Sequence, residues 1–159
     1  MPTCTAWTSA IEGSTLMPET TRPTYTWRGQ ISDAELFDLT ASHGGNPQSG
    51  WWDRIHPHSL GWVTARGASG TLVGFTNVAW DGGVHAFLLD PKVRPSQQRR
   101  GIGSELVRLA SDRAREAGCE WLHVDFEDAE RLGRFYFVAC GFRPTTAGLI
   151  NLTEEPGAS

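Results

Sequence analysis

The sequence predicts a single α/β domain: a mixed, mostly antiparallel central sheet flanked by helices. Three observations carry this prediction. The chain has 159 residues, which suits one domain with its own core. Residues 61–93 hold three strand-like runs joined by glycine-containing turns, the pattern of an antiparallel meander. A long amphipathic stretch then separates the third run from a further strand-like run. That strand–helix–strand order calls for a right-handed crossover between parallel neighbours.

The elements follow in order. Residues 1–22 are rich in Thr, Ser and Pro, lack an apolar period, and are expected to be a disordered extension. Met17 opens a second possible start, so residues 1–16 read as an upstream extension or an added segment. The domain is expected over 23–153, with a short tail at 154–159. A short strand is predicted at 25–28. Ser32 with Glu35 three residues on is a capping-box pattern, followed by Leu36, Phe37 and Leu39 and closed near His43 by two glycines. A second short helix is predicted at 51–55, before Pro57 interrupts it. Strands are predicted at 61–66, 71–80 and 84–93, with Asp81-Gly82-Gly83 as a hairpin turn. The apolar run Ala86-Phe87-Leu88-Leu89 predicts burial on both faces of the third strand.

A helix is predicted over 101–117, with Ile102, Leu106, Leu109 and Ala110 on one face and Arg108 and Asp112 one turn apart on the other. Gly118 stands where a helix ends. A strand at 119–126, a helix at 129–140 and a last strand at 149–152 complete the expectation. For Trp62, Trp80 and Trp121 the expected role is core packing.

Composition narrows the function. Hydrophobic residues make up 39% and charged residues 20%, a balance that excludes a disordered chain. The net charge of −4 argues against a general nucleic-acid binder. No apolar run reaches the length of a membrane helix, and no secretory leader pattern is visible. The three cysteines, Cys4, Cys119 and Cys140, form no CxxC pair, so neither zinc ligation nor a disulfide framework is indicated. His56-Pro57-His58 lacks a third ligand and helical spacing, so no metal is expected. A reducing cytoplasm is the expected compartment.

One segment departs from the rest. Residues 91–106 join the third meander strand to the long helix and carry Lys92, Arg94, Arg99 and Arg100. Cations at a helix N-terminus are disfavoured by roughly 0.3–1 kcal/mol each. They make sense there if an anion sits between them and the open backbone N–H groups. Gly101 and Gly103 let a bulky anion approach the chain. The segment therefore reads as a phosphate or diphosphate cradle. It is not a Walker loop, which needs GxxxxGK[ST], nor a complete GxGxxG fingerprint.

The pattern Val93, Pro95, Gln98, Gly101, Gly103 closely resembles motif A of the GCN5-related N-acetyltransferases, and the segments around Trp121 and Phe135–Phe142 resemble the family's later motifs. The resemblance spans roughly residues 25–152. It implies an acetyl-CoA site, with backbone N–H groups from Gln98, Arg99, Arg100, Gly101, Ile102, Gly103 and Ser104 on the diphosphate and pantetheine paired near Val93, where two parallel strands splay. It also implies a backbone N–H near Val93 for the oxyanion and a tyrosine, here Tyr136, to protonate the leaving sulfur. The family's usual spacing puts that tyrosine four residues before the glycine, yet Tyr136 lies five before Gly141 and Phe137 takes the four-residue place. Two alternatives follow: a π-bulge absorbs the extra residue, or Phe137 faces the thiol and Tyr136 packs.

A base is sought among the acids at the strand ends. Asp90 and Glu127 are the catalytic candidates, with His85 and Asp125 on the acceptor side; a water chain is the alternative. Trp51 and Trp52, in the helical region that walls the acceptor in relatives, are candidates to hold a cationic amine by cation–π contact. The expected function is acetyl transfer from acetyl-CoA to a primary amine of a small molecule or peptide, by direct attack, because no Ser/Cys–His nucleophile pair is visible. The alternatives are a non-catalytic acyl-CoA sensor and an N-acyltransferase for a longer chain. An amine-bearing acceptor is the expected partner, and the resemblance allows a homodimer.

Overall fold

The computed structural model describes residues 22–153, so the expected N-terminal extension (but for Arg22) and the tail at 154–159 lie outside the described residues. Five strands form one sheet in the order β1-β2-β3-β4-β5. They are β1 (Thr24–Trp27), β2 (Ser59–Arg66), β3 (Leu72–Trp80), β4 (His85–Val93) and β5 (Trp121–Val124). The first three pairings are antiparallel, and β4 with β5 is parallel, as the crossover order requires. The helices are α1 (Asp33–Ser42), α2 (Trp51–Ile55), α3 (Ile102–Glu116) and α4 (Glu130–Gly133).

Local chemistry sets the helix ends. The Glu35 N–H donates to Ser32 Oγ at 3.2 Å while the Ser32 N–H donates to Glu35 at 2.9 Å, so the capping box starts α1 as written. At the far end of α3 the Gly118 N–H donates to the Arg115 carbonyl and the Cys119 N–H to the Ala114 carbonyl, a Schellman closure.

The two sheet faces are covered differently. Ile102, Leu106, Val107, Ala110 and Ala114 of α3 pack on Val63, Ala65, Val78, Ala86 and Leu88. On the opposite face Leu36 and Leu39 of α1 and Trp52 of α2 pack on Leu72 and Phe75. α1 and α2 leave the β4–β5 part of that face open. Phe87 is therefore 42% exposed and Leu89 40%, while Ala86 and Leu88, facing α3, are buried. The expectation that β4 is buried on both faces is corrected: its apolar run lies over a layer that covers one side only. Trp80 and Trp121, at the strand ends, are exposed as well, against the expectation of core packing.

Two more expectations change beyond α3. β5 is four residues long rather than eight. No strand forms at 149–152, and Leu149, Ile150 and Leu152 are all exposed by more than four-fifths. The predicted helix at 129–140 is one α-helical turn, α4, running into a π-helical segment, Arg134–Ala139. Among the described residues no helix is long and apolar enough to cross a membrane, and no group of three or more His, Cys, Asp or Glu could hold a metal.

Candidate active site

The site begins where β4 gives way to α3. The first N–H groups of a helix have no intrahelical acceptor. At α3 the N-cap is Gly101, at φ +80°, and no side chain caps the helix. Beyond its own chain neighbours, nothing lies within 4 Å of where a Cβ of Gly101 would be, so no other part of the fold crowds the N-cap. Arg99, two residues earlier, also has positive φ, +58°. The loop's polar side chains brace the loop itself: Gln98 donates to the Val93 carbonyl at 3.1 Å and Arg100 to the Gln97 amide oxygen at 2.6 Å. The backbone of Gly101, Ile102, Gly103 and Ser104, with the exposed Arg99 and Arg100, therefore fits a diphosphate. The Ile102 side chain is core, so only its N–H is left to face a ligand.

Gly103 has a second reason to be glycine. A Cβ there would stand 3.1 Å from the Phe135 ring and 3.8 Å from Val93. The first turn of α3 is thus wedged between the end of β4 and the π segment, which ties the cradle to the element that carries Tyr136.

β4 is bent just before this point. Phe75 pairs with Lys92 and Asn77 with Leu89, so Thr76 alone opposes Asp90 and Pro91: a β-bulge. Asp90 sits at φ +53°, a conformation aspartate tolerates better than most residues. The Thr76 hydroxyl donates to the Leu89 carbonyl at 3.1 Å and steadies the bend. The β4–β5 ladder ends at Leu88 and Val124, while β4 continues along β3 to Val93. The Arg94 N–H donates to the Val73 carbonyl at 2.8 Å. Strand alternation then turns the Val93 N–H the other way, toward the side from which β5 has gone.

A cavity of about 340 Å³ adjoins the bulge, between α1, α2 and β4. Its lining includes Asp33, Phe37, Thr40, Gln48, Trp51, Asp90 and Lys92. Asp33 accepts from the Gly50 and Trp52 N–H groups, at 2.6 and 3.0 Å, and these bonds hold its carboxyl below the usual range. Lys92 pairs with Asp90 at 3.2 Å and sits 5.2 Å from the centre of the Trp51 ring.

Tyr136 is 4% exposed, with its ring stacked on Phe126 at 4.5 Å and edge-on to Phe135 and Phe142. Burial, with Cys140 nearby, pushes its phenol up to about 12. The Cys140 N–H donates to the Phe135 carbonyl, five residues back, as a π-turn requires. The extra residue between Tyr136 and Gly141 is absorbed there, and Phe137 is left 36% exposed. Cys140 and Cys119 are half-buried rather than sealed, and burial raises both thiols.

The structure gathers the expected residues unevenly. Trp51 and Asp90 line the cavity, and Val93 joins the residues from Gln98 to Ser104 at the start of α3. Trp52 is buried among Trp62, Phe75 and His56 and does not line the cavity, which corrects its expected acceptor role. His85 begins β4, at the opposite end from the bulge, where its Nδ1 lies 2.9 Å from His123 Nε2. Asp125 and Glu127 are exposed beyond the end of β5, and neither lines the cavity. Sequence reasoning missed Lys92 as a cavity residue, counting it with the basic loop. An Asp-Pro-Lys interruption in an otherwise apolar strand was the available signal.

An uncapped helix start stands beside a bulged strand whose parallel neighbour diverges, an arrangement with the free backbone donors to hold a diphosphate-bearing ligand. The chain belongs to the acetyltransferase (GNAT) family, whose model matches residues 20–142. It is similar to a GNAT-family acetyltransferase structure from Streptococcus pneumoniae TIGR4, at 25% identity and a TM-score of 0.69, over 82% of this chain and 98% of that one. The fold is shared with aminoglycoside N-acetyltransferase AAC(6')-Iy in complex with CoA, at 17% identity and a TM-score of 0.68, over 86% of this chain and 97% of that one. It is shared also with glucosamine-6-phosphate N-acetyltransferase from Arabidopsis thaliana, at 13% identity and a TM-score of 0.62, over 82% and 99%. Among curated proteins none matches.

Proposed function

We infer that this protein moves an acetyl group from acetyl-CoA to the primary amine of a small molecule or peptide held in the cavity beside the bulge. The observation that carries the reading is the uncapped N-terminus of α3 standing next to the β4 bulge, with a half-open, acceptor-sized cavity on the other side of that bulge. When bound, acetyl-CoA supplies the acetyl carbon as a thioester; a C–N bond forms to the amine as the C–S bond breaks.

The residues have separable tasks. Backbone N–H groups of the first turn of α3, with Arg99 and Arg100, bind the diphosphate. The Val93 N–H, freed by the divergence of β5, donates to the carbonyl oxygen as charge develops on it. Asp90, at the bulge and facing the cavity, takes the proton from the incoming amine, directly or through water. Tyr136 keeps its proton and donates a hydrogen bond to the departing sulfur, which draws its own proton from solvent. Positioning and preorganised donors supply most of the acceleration.

The test is release of free thiol from acetyl-CoA across a panel of amines, with calorimetric binding of CoA as the control. Amine-dependent release supports the transferase. Tight CoA binding without release on any amine points instead to an acyl-CoA-binding module, and preference for longer thioesters to a different acyl donor.

A further inference from the structure

Resting on that reading, we propose that the acceptor is a zwitterionic amine: a compact molecule bearing, beside its amine, a carboxylate or phosphate that binds Lys92. Three lining residues of the cavity are charged, Asp33, Asp90 and Lys92. Asp33 is committed to the Gly50 and Trp52 N–H groups and acts as a structural clamp between α1 and α2. That leaves one acid and one base, 3.2 Å apart on either side of Pro91. Together they present a fixed dipole at the mouth of the bulge.

Each end of that dipole has its own setting. Lys92 is mostly buried, its side chain 17% exposed, and its ammonium lies over the Trp51 ring. An ammonium has three donors. One serves Asp90, and the ring face balances part of the charge without consuming a hydrogen-bond acceptor, so the group retains donor capacity for a ligand anion. Asp90 is bound by one carboxylate oxygen and remains 36% exposed, with the other oxygen available to an amine. The Trp51 face, the indole that could have received a cationic acceptor, is therefore already taken by the chain's own cation, and Phe37 is the other aromatic side chain in the lining. A purely cationic amine entering the cavity meets Lys92 as a like charge, whereas a zwitterion pairs with both ends at once. The cavity of about 340 Å³ suits a molecule of amino-acid to monosaccharide size.

The experiment compares matched amines with and without the anion: phenylalanine against phenethylamine, 4-aminobutyrate against propylamine, and phosphoethanolamine against ethanolamine. Thiol release is measured on the full chain with acetyl-CoA, and calorimetry follows acceptor binding to the CoA-loaded protein. Wild type is expected to favour the anion-bearing member at least tenfold in kcat/KM, with the difference in KM. The carboxylate and phosphate arms decide which anion is preferred. Lys92→Met is expected to remove or reverse that preference, because it deletes the anion partner and uncovers the Trp51 face. Lys92→Arg is expected to restore most of it. A wild-type preference for the anion-free amines, or a preference that survives Lys92→Met in folded protein, overturns the inference while leaving the transferase intact. Lys92-dependent binding of zwitterions without thiol release supports the inference and instead overturns the transferase.

Discussion

Replacing Tyr136 with Phe removes one oxygen from the core and leaves the ring contacts with Phe126, Phe135 and Phe142 in place. The size of the effect follows from the phenol's environment. With the phenol pushed up to about 12, only about one molecule in ten thousand is ionised at pH 8. A thiol's reference value near 8.5 lies about 3.5 units lower, so full transfer of the phenolic proton to sulfur runs uphill by roughly 5 kcal/mol. The productive role is a hydrogen bond to developing negative charge, worth about 1.5–3 kcal/mol. Tyr136→Phe is therefore expected to lower kcat about 10- to 150-fold. Thermal stability is expected to stay within about 1 kcal/mol of wild type, since no packing volume is lost. The kcat of wild type is expected to show no step from this phenol between pH 6 and 9.5. Steady-state thiol release at several pH values, with calorimetric unfolding of both proteins, tests this. A variant that retains kcat within twofold across that range shows that the phenol does not face the sulfur, and the assignment of Tyr136 fails.

Other predictions concern the cradle and the frame around it. Arg99→Glu with Arg100→Glu is expected to weaken CoA binding at least a hundredfold at low salt, with unfolding changed little because both side chains are exposed; titration calorimetry at two ionic strengths reads both effects. Leu106→Ala, at a fully buried position where α3 meets the sheet, is expected to cost about 2–5 kcal/mol in denaturant unfolding. The Arg66 guanidinium and the Ser32 cap hold the Glu35 carboxyl down to about 2, so the stability from this pair is present above about pH 4.5 and lost as pH falls toward 2. Because the Glu35 side chain is 36% exposed, the loss is expected to be about 1 kcal/mol, seen as a difference between pH 6 and pH 3 that Glu35→Gln abolishes.

What the chain determines by itself is the part carried by near neighbours. The capping box at Ser32, the turn at Asp81–Gly83, the Schellman closure at Gly118 and the uncapped glycine start of α3 depend on residues a few positions apart, and each stands where its local pattern put it. The parallel crossover follows from element order alone. Tertiary structure decided the rest, because burial and side-chain pairing depend on what comes to lie across a surface. Ala86-Phe87-Leu88-Leu89 reads the same whether one layer or two cover it, and only the limited reach of α1 and α2 leaves Phe87 and Leu89 open. The bulge at Asp90 exists because Thr76 of another strand faces two residues instead of one. Packing of Phe135 against Gly103 meets Tyr136 at the π segment, a conformation that no spacing in the sequence specifies uniquely. Lys92 became a cavity residue only when α2 carried Trp51 beneath it, 41 positions away along the chain by subtraction of their numbers.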